Sequence, residues 1–116
     1  MVICLGFNDH SGLKEKDGTM SEEKSAFFRK GFHDFITTLR GEYPGITILA
    51  VAAFPEWIQS NVKRIVDEEQ HTGIKDIYNT HFDDFQGGYV TNVHPTVETH
   101  QKIADQIIEA IEALKE

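Results

Sequence analysis

Cysteine, positive charge and long apolar runs are all scarce in this chain of 116 residues. Its one cysteine, Cys4, cannot form a disulfide within the chain, and its apolar surroundings predict a buried, inert thiol. Lysine and arginine total 11 against 19 aspartates and glutamates, which argues against binding to nucleic acid or to anionic membranes. No apolar run reaches the roughly 18 residues of a transmembrane helix.

A targeting segment is also missing from the printed sequence. The apolar run from Val2 to Leu5 is too short for the core of a signal peptide and has no basic residues before it. The sequence is equally compatible with a natural start upstream of Met1. The compartment therefore stays open, and a secreted or periplasmic parent protein is one alternative.

What is present is a soluble globular composition with alternating strand and helix patterns. These patterns predict an α/β fold of the flavodoxin-like, three-layer kind, with about three parallel strands between helices, in a single domain over residues 1–116. The predicted elements are a strand over Val2 to Leu5, a helix from the N-cap Ser21 to about Arg40, a strand over Ile46 to Ala53, a helix over Ile58 to Gln70, a strand over Ile74 to Tyr78, and a helix from Pro95 or Thr96 to Leu114.

Several details of this pattern can be checked against a structure. Residues 10–20 are polar and predict a surface loop, and Gly41 with Pro44 is expected to end the first helix. Three histidines are expected to face solvent, namely His33, His71 and His81. The apolar stripe expected to bury the first helix comprises Phe27, Phe28, Gly31, Phe32, Phe35, Ile36 and Leu39.

Polar clusters follow each predicted strand, where sites form in open parallel sheets. Asn8, Asp9 and His10 follow the first strand, Phe54 to Trp57 follow the second, and His94 ends the long connection after the third. The carboxyl ends of parallel strands share one edge of the sheet. We therefore expect Asn8 and His94 on the same rim.

The motif Gly6-Phe7-Asn8-Asp9 after a strand resembles the third signature block of SGNH/GDSL-type ester hydrolases, and His94-Pro95 before a helix resembles the fifth. The run from Gly88 to Ala104 is particularly similar to carbohydrate acetyl-esterases. The order and spacing of the two blocks carry the resemblance. It covers essentially the whole chain, as the C-terminal half of such an enzyme.

The resemblance implies roles for these residues. Asn8 would donate its side-chain amide to the oxyanion, and His94 would be the general base. Gly6 and Asp9 would hold the loop in place, with the Asp9 carboxylate accepting hydrogen bonds from loop amides. Trp57 is a candidate for the substrate rim. The resemblance implies an acylated small molecule or carbohydrate as substrate, and neither a cofactor nor a metal.

The chain also departs from the family pattern. The Gly-Asp-Ser block with the nucleophile is absent, so little or no turnover is expected from the chain alone, whether it is a truncated enzyme or a natural pseudoenzyme. The acid that usually lies two or three residues before the histidine is absent, because those positions hold Asn92 and Thr91. Some carbohydrate esterases of this type work without the acid, with a Ser–His dyad. Ser11 is a poor substitute for the nucleophile, because it lies in a polar loop without a strained strand-to-helix turn.

Other interpretations stay open. The segment from Gly6 to Asp9 is also typical of a simple turn, and His94 could be an ordinary surface residue before a helix. The whole chain could be a non-catalytic, flavodoxin-like binding module. A metal site from Asp9, His10, His94 and His100 matches no zinc spacing. The resemblance places the missing strand beside Val2 to Leu5. The open edge predicts a homodimer or domain-swapped assembly there, or else a poorly soluble monomer.

Overall fold

The computed structural model describes residues 1–53, 55–82 and 94–115. Within these ranges the chain forms an α/β fold, in which four helices flank one sheet of three parallel strands in the order β1-β2-β3. The predicted fold class is confirmed. The elements are β1 (Val2–Ile3), α1 (Phe7–Leu13), α2 (Glu22–Glu42), β2 (Ile48–Ala52), α3 (Glu56–His71), β3 (Ile77–His81) and α4 (Val97–Leu114).

The central strand β2 explains the three layers. All five of its residues are buried, and they alternate between the two faces of the sheet. Ile48, Ala50 and Ala52 join the apolar core beneath α2 and α3. Leu49 and Val51 face the other way and pack with apolar residues of α4. A strand covered on both faces reads as a continuous apolar run, which is why β2 shows no polar alternation.

The first strand is shorter and more open than its sequence predicts. Only Val2 and Ile3 form β1, and of these only Ile3 is buried. Cys4 is exposed, so the prediction of a buried thiol is wrong. The reason is that, in the described part of the chain, β1 pairs only with β2 and forms an edge of the sheet.

The predicted loop over residues 10–20 is wrong at its beginning. Residues 7–13 form helix α1, and its partly buried residues Phe7 and Leu13 pack against the core. The remaining residues, 14–20, contain no helix or strand.

Helix α2 begins as predicted, with the Ser21 hydroxyl accepting a hydrogen bond from the backbone N–H of Lys24. It continues through Gly41 to Glu42, one residue before the cap Tyr43, so Gly41 does not end it. The apolar stripe is buried only in part, since 71% of Phe27 and 42% of Phe35 is exposed. These two residues lie on the side of α2 that no described element covers.

His33 was expected to face solvent, and the structure corrects this. The imidazole is half-buried between α2 and α3, where Nδ1 lies 2.6 Å from Oε1 of the buried Glu69. The second ring nitrogen lies 3.6 Å from a carboxylate oxygen of Glu68. His33 therefore joins the two helices rather than facing solvent.

The later elements match their predictions within a few residues. Helix α3 begins two residues early, at Glu56, and β3 begins three residues later than predicted, at Ile77. Helix α4 begins at Val97, where the Thr96 hydroxyl accepts a hydrogen bond from the Thr99 N–H. Among the described residues, no helix is long and apolar enough to cross a membrane.

Candidate functional site

Gly6 turns the chain from β1 into α1 at the carboxyl edge of the sheet. It has a φ of 121°, a backbone conformation that residues other than glycine rarely adopt. A Cβ atom at this position would lie 3.1 Å from Cγ2 of Ile58 and 3.3 Å from Cζ of Phe28. Glycine is therefore required here both for the backbone conformation and for the close packing beneath it.

A small cavity of about 180 Å³ lies directly beyond this turn. It is at the carboxyl ends of β1 and β2, the edge at which sites form in parallel sheets. Its lining comes from the segment after β1 and from the residue that follows β2, namely Cys4, Leu5, Gly6, Phe7, Asn8, Asp9 and Ala53.

Asn8 and Asp9 share this cavity, and both are exposed in the first turn of α1. Within the described part of the chain the Asn8 amide makes no hydrogen bond, so its N–H groups are available to a ligand. The Asp9 carboxylate also accepts no hydrogen bond from a described residue. The expected bonds between Asp9 and the loop amides are therefore not seen.

Cys4 and Ala53 are lining residues that the sequence did not connect with the site, and Cys4 was expected only to be a buried, inert thiol. For Cys4, its position two residues before Gly6, where the strand ends, was the available signal. Although the residue is exposed at the surface, partial burial of its thiol raises the pKa, which weakens the sulfur as a nucleophile near neutral pH. No serine is among the described residues that line the cavity, and Ser11 lies exposed in α1.

Trp57 lies beside this turn but is used for packing. Its indole Nε1–H donates a hydrogen bond to the Ser25 hydroxyl at 2.8 Å. Its ring centroid lies 5.0 Å from that of Phe28 and 5.5 Å from that of His10. Trp57 therefore links α3 to both α1 and α2. Burial, followed by the charge of Lys14, lowers the pKa of His10.

His94 is exposed and lies immediately before Pro95 and the N-cap Thr96 of α4. Asn92 falls within residues 83–93, which lie outside the described residues, as does Phe54. The described lining of the cavity includes Asn8 but not His94. The convergence of His94 on Asn8 therefore remains a prediction.

A metal site was considered for the same edge of the sheet. Across the described ranges, no group of three or more His, Cys, Asp or Glu side chains is arranged to hold a metal ion. The four residues considered in the sequence, Asp9, His10, His94 and His100, do not form such a group.

The chain has similar solved structures but no similar family or curated sequence. No protein family and no curated protein sequence matches the chain. Among solved structures, it is similar to an acetyl xylan esterase, Est2A, from the rumen bacterium Butyrivibrio proteoclasticus, with a TM-score of 0.77 and 16% identity over 97% of this chain. It is also similar to a carbohydrate esterase whose active site has divergent catalytic and non-catalytic binding functions, with a TM-score of 0.78 and 20% identity over 96% of this chain.

These similarities show that the chain shares its fold with part of two carbohydrate esterases. The chain spans only 35% of the first esterase chain and 36% of the second.

Proposed function

We propose that this chain forms part of an ester-hydrolysing site of the SGNH type and supplies its oxyanion donor and its general base. The observation that carries the proposal is the position of Asn8. Its amide, which bonds to none of the described residues, lines a cavity at the carboxyl edge of a sheet, in a chain whose fold matches carbohydrate esterases.

Asn8 is suited to the chemistry proposed for it. When a nucleophile attacks an ester, the carbonyl oxygen becomes negatively charged, and a fixed neutral N–H donor stabilises that charge. One such donor contributes about 3–4 kcal/mol to transition-state stabilisation. The rigid turn at Gly6, packed against Ile58 and Phe28, holds the backbone from which Asn8 projects.

His94 is proposed as the general base. It would take the proton of a serine hydroxyl as the oxygen attacks the carbonyl carbon, and would return a proton to the alcohol oxygen as the C–O bond breaks. An imidazole suits this role because its pKa lies near neutrality. The cap between Thr96 and Thr99 sets the start of α4 at Val97, three residues after His94.

The nucleophilic serine is proposed to come from a polypeptide segment outside these 116 residues. The described lining of the cavity contains no serine, and the raised pKa of Cys4 makes its thiol a poor substitute. We therefore expect the chain alone to hydrolyse no ester above the uncatalysed rate.

The proposed substrates are O-acetyl groups on carbohydrates. The two similar solved structures are an acetyl xylan esterase and a carbohydrate esterase. The formal net charge of −8 disfavours anionic substrates and is compatible with a neutral sugar ester.

A chimaeric enzyme tests the proposal. In it, the part of the acetyl xylan esterase that superposes on this chain is replaced by these 116 residues, and acetate release from acetylated xylan is measured. We expect activity, with kcat lowered about 10²–10³-fold by Asn8→Ala and at least as strongly by His94→Ala. The matched controls Asn79→Ala and His71→Ala alter exposed residues away from the cavity and should leave kcat unchanged.

Two results would oppose the proposal. The first is a chimaera that folds, as judged by circular dichroism, but releases no acetate. The second is activity that is indifferent to both Asn8 and His94. If the chimaera fails to fold, the test is an NMR titration of this chain with acetate, the reaction product. Shifts confined to the Asn8 side-chain amide and the His94 ring support the proposal, and their absence contradicts it.

Association of two copies through the segment Val2 to Leu5 is a second part of the proposal. Met1 C=O accepts a hydrogen bond from the Leu49 N–H, so alternation along the strand directs the backbone groups of Val2 and Cys4 away from β2. Val2 and Leu5 are 46% and 49% exposed. Protection of the Val2 and Cys4 amides from hydrogen exchange at high protein concentration, lost on dilution, would support this pairing.

A further inference from the structure

We infer that the exposed seam of α2, defined by Phe27, Gly31 and Phe35, packs against the same seam of a second copy of this chain. The inference extends the association proposed for the β1 edge and does not depend on ester hydrolysis. It rests on three features of α2: an apolar ridge, a glycine that no neighbouring atom in the described chain requires, and a self-complementary pair of charges.

The ridge follows from helical spacing. Residues four apart lie on one face of a helix, so Phe27, Gly31 and Phe35 form a continuous row. Phe27 is 71% exposed and Phe35 is 42% exposed, although both are large apolar residues. Phe28 and Phe32, which follow Phe27 and Gly31 in the chain, are buried in the core. The row is therefore an apolar face of α2 that the described part of the chain leaves exposed.

Gly31 has no structural role that the described chain explains. It lies in the middle of α2 with ordinary helical backbone, and a Cβ atom added there would meet nothing within 4 Å. Glycine at such a position destabilises a helix relative to alanine, because it loses more backbone freedom on folding. A glycine between two exposed phenylalanines allows the backbone of another helix to approach closely, which would offset this cost.

A concave surface accompanies the ridge. A groove of about 460 Å³ runs along this side of α2 and connects it to the end of β1 through Leu5 and Asp9. The α2 seam and the β1 edge thus belong to one continuous surface, and one two-fold axis perpendicular to the sheet would bring both against their counterparts. The lining of the groove is Leu5, Asp9, Phe27, Phe28, Lys30, Gly31, Phe32, Asp34 and Phe35.

The charges beside the ridge identify the second copy as the partner. Lys30 and Asp34 lie on the side of the ridge away from the core and are ion-paired at 2.8 Å. An antiparallel pair of α2 helices centred on Gly31 puts Phe27 of one copy opposite Phe35 of the other. The same rotation brings Lys30 of one copy near Asp34 of the other, so the surface is complementary to itself.

Substitution of Gly31 tests the close approach of the two helices. Gly31→Gln places a longer side chain in open space within its own protein, so the chain should fold at least as stably as before. At the seam it would push the helices apart, and we expect the dimer dissociation constant from sedimentation velocity to rise about tenfold or more. Gly41→Gln is the control in the same helix, since Gly41 also meets nothing and lies outside the groove.

A charge exchange tests the identity of the partner. Lys30→Glu leaves only carboxylates around the two-fold axis and should weaken the dimer about tenfold or more. The double change Lys30→Glu with Asp34→Lys should restore it. Lys63 and Asp67 form an exposed pair on α3 with the same spacing and the same 2.8 Å distance. The same exchanges there alter net charge identically and should leave the dimer unaffected.

A concentration-dependent dimer that responds to Gly31 and Lys30 but not to Gly41 and Lys63 supports the inference. A chain that stays monomeric at every concentration, or a dimer indifferent to Gly31 and Lys30, overturns it. A seam that binds only a different polypeptide also overturns it. The acetate-release assay depends on Asn8 and His94, so failure of either proposal is detected separately.

Discussion

Arg29 of α2 donates a hydrogen bond from Nη1 to Oδ1 of Asn61 on α3 at 2.7 Å, and both side chains are buried. The other guanidinium nitrogen, Nη2, lies 2.6 Å from Oε1 of Glu22. Asn61 is held in turn by a hydrogen bond from its Nδ2 to the carbonyl oxygen of Trp57. The buried cation is thus paired on two sides and joins the two helices that cover one face of the sheet.

Asn61→Ala should therefore destabilise the protein by about 2–3 kcal/mol, because it leaves the buried guanidinium of Arg29 without its amide acceptor. Urea unfolding measures the free-energy change. Ser60→Ala alters an exposed neighbour on the same helix and should change stability by less than about 0.5 kcal/mol. Equal effects of the two substitutions would contradict the account.

Gly6→Ala should destabilise the protein by about 1–3 kcal/mol, because the new side chain combines a disfavoured φ with a close approach to Ile58 and Phe28. Gly12→Ala is the matched control in α1. Its Cβ meets nothing, and alanine favours the helix, so stability should hold or rise. Thermal unfolding compares the two variants, and a harmless Gly6→Ala would show that the turn relaxes easily.

Trp57→Phe keeps an aromatic ring beside Phe28 but removes the donor to Ser25, whose hydroxyl is buried. We expect a loss of about 1–2 kcal/mol. A double-mutant cycle with Ser25→Ala isolates this bond, since the double variant should lose less than the sum of the two single losses. Additive losses would mean that the hydrogen bond contributes no coupling.

The His10 imidazole should titrate below the usual value of about 6.5, because burial beside Trp57 and the charge of Lys14 disfavour its protonated form. The unfolded chain then binds the proton more readily than the folded one. The contribution of His10 to stability is complete above pH about 6.5 and is lost as the pH falls through the folded pKa.

Proton NMR of the His10 ring measures this pKa directly. Lys14→Met should raise the pKa part of the way, since burial is the larger cause and remains. Lys16→Met removes the same charge from a residue that does not contribute to the shift and should leave the pKa unchanged. A His10 pKa at or above the usual value would refute the prediction.

The sequence predicted best those features of the fold that depend on interactions between residues close together in the chain. The cap at Ser21 was recognisable because a hydroxyl accepts from an N–H three residues on, whereas the cap of α4 at Thr96 was not identified as one. The continuous apolar run of β2 identified a strand buried on both faces. Helix α1 was missed because its seven residues contain serine, glycine, asparagine and aspartate, which are typical of loops and turns.

The candidate site was only partly predictable in the same way. Asn8 was predicted as a site residue from its motif at a strand end, and it does line a cavity there, while its role in catalysis stays a prediction. The participation of Cys4 and Ala53 in that cavity depends on two strands meeting side by side. No pattern within a single segment contains that information.

By itself, the sequence determined the order of the three strands and the three long helices, the cap at Ser21 and the absence of any internal disulfide, since these follow from residue type and short-range spacing. The tertiary structure decided which apolar residues are covered. Phe28 and Phe27 are adjacent and chemically identical, yet one is buried and the other is 71% exposed. Burial depends on which elements lie against a face, and α3 and the sheet cover only one side of α2.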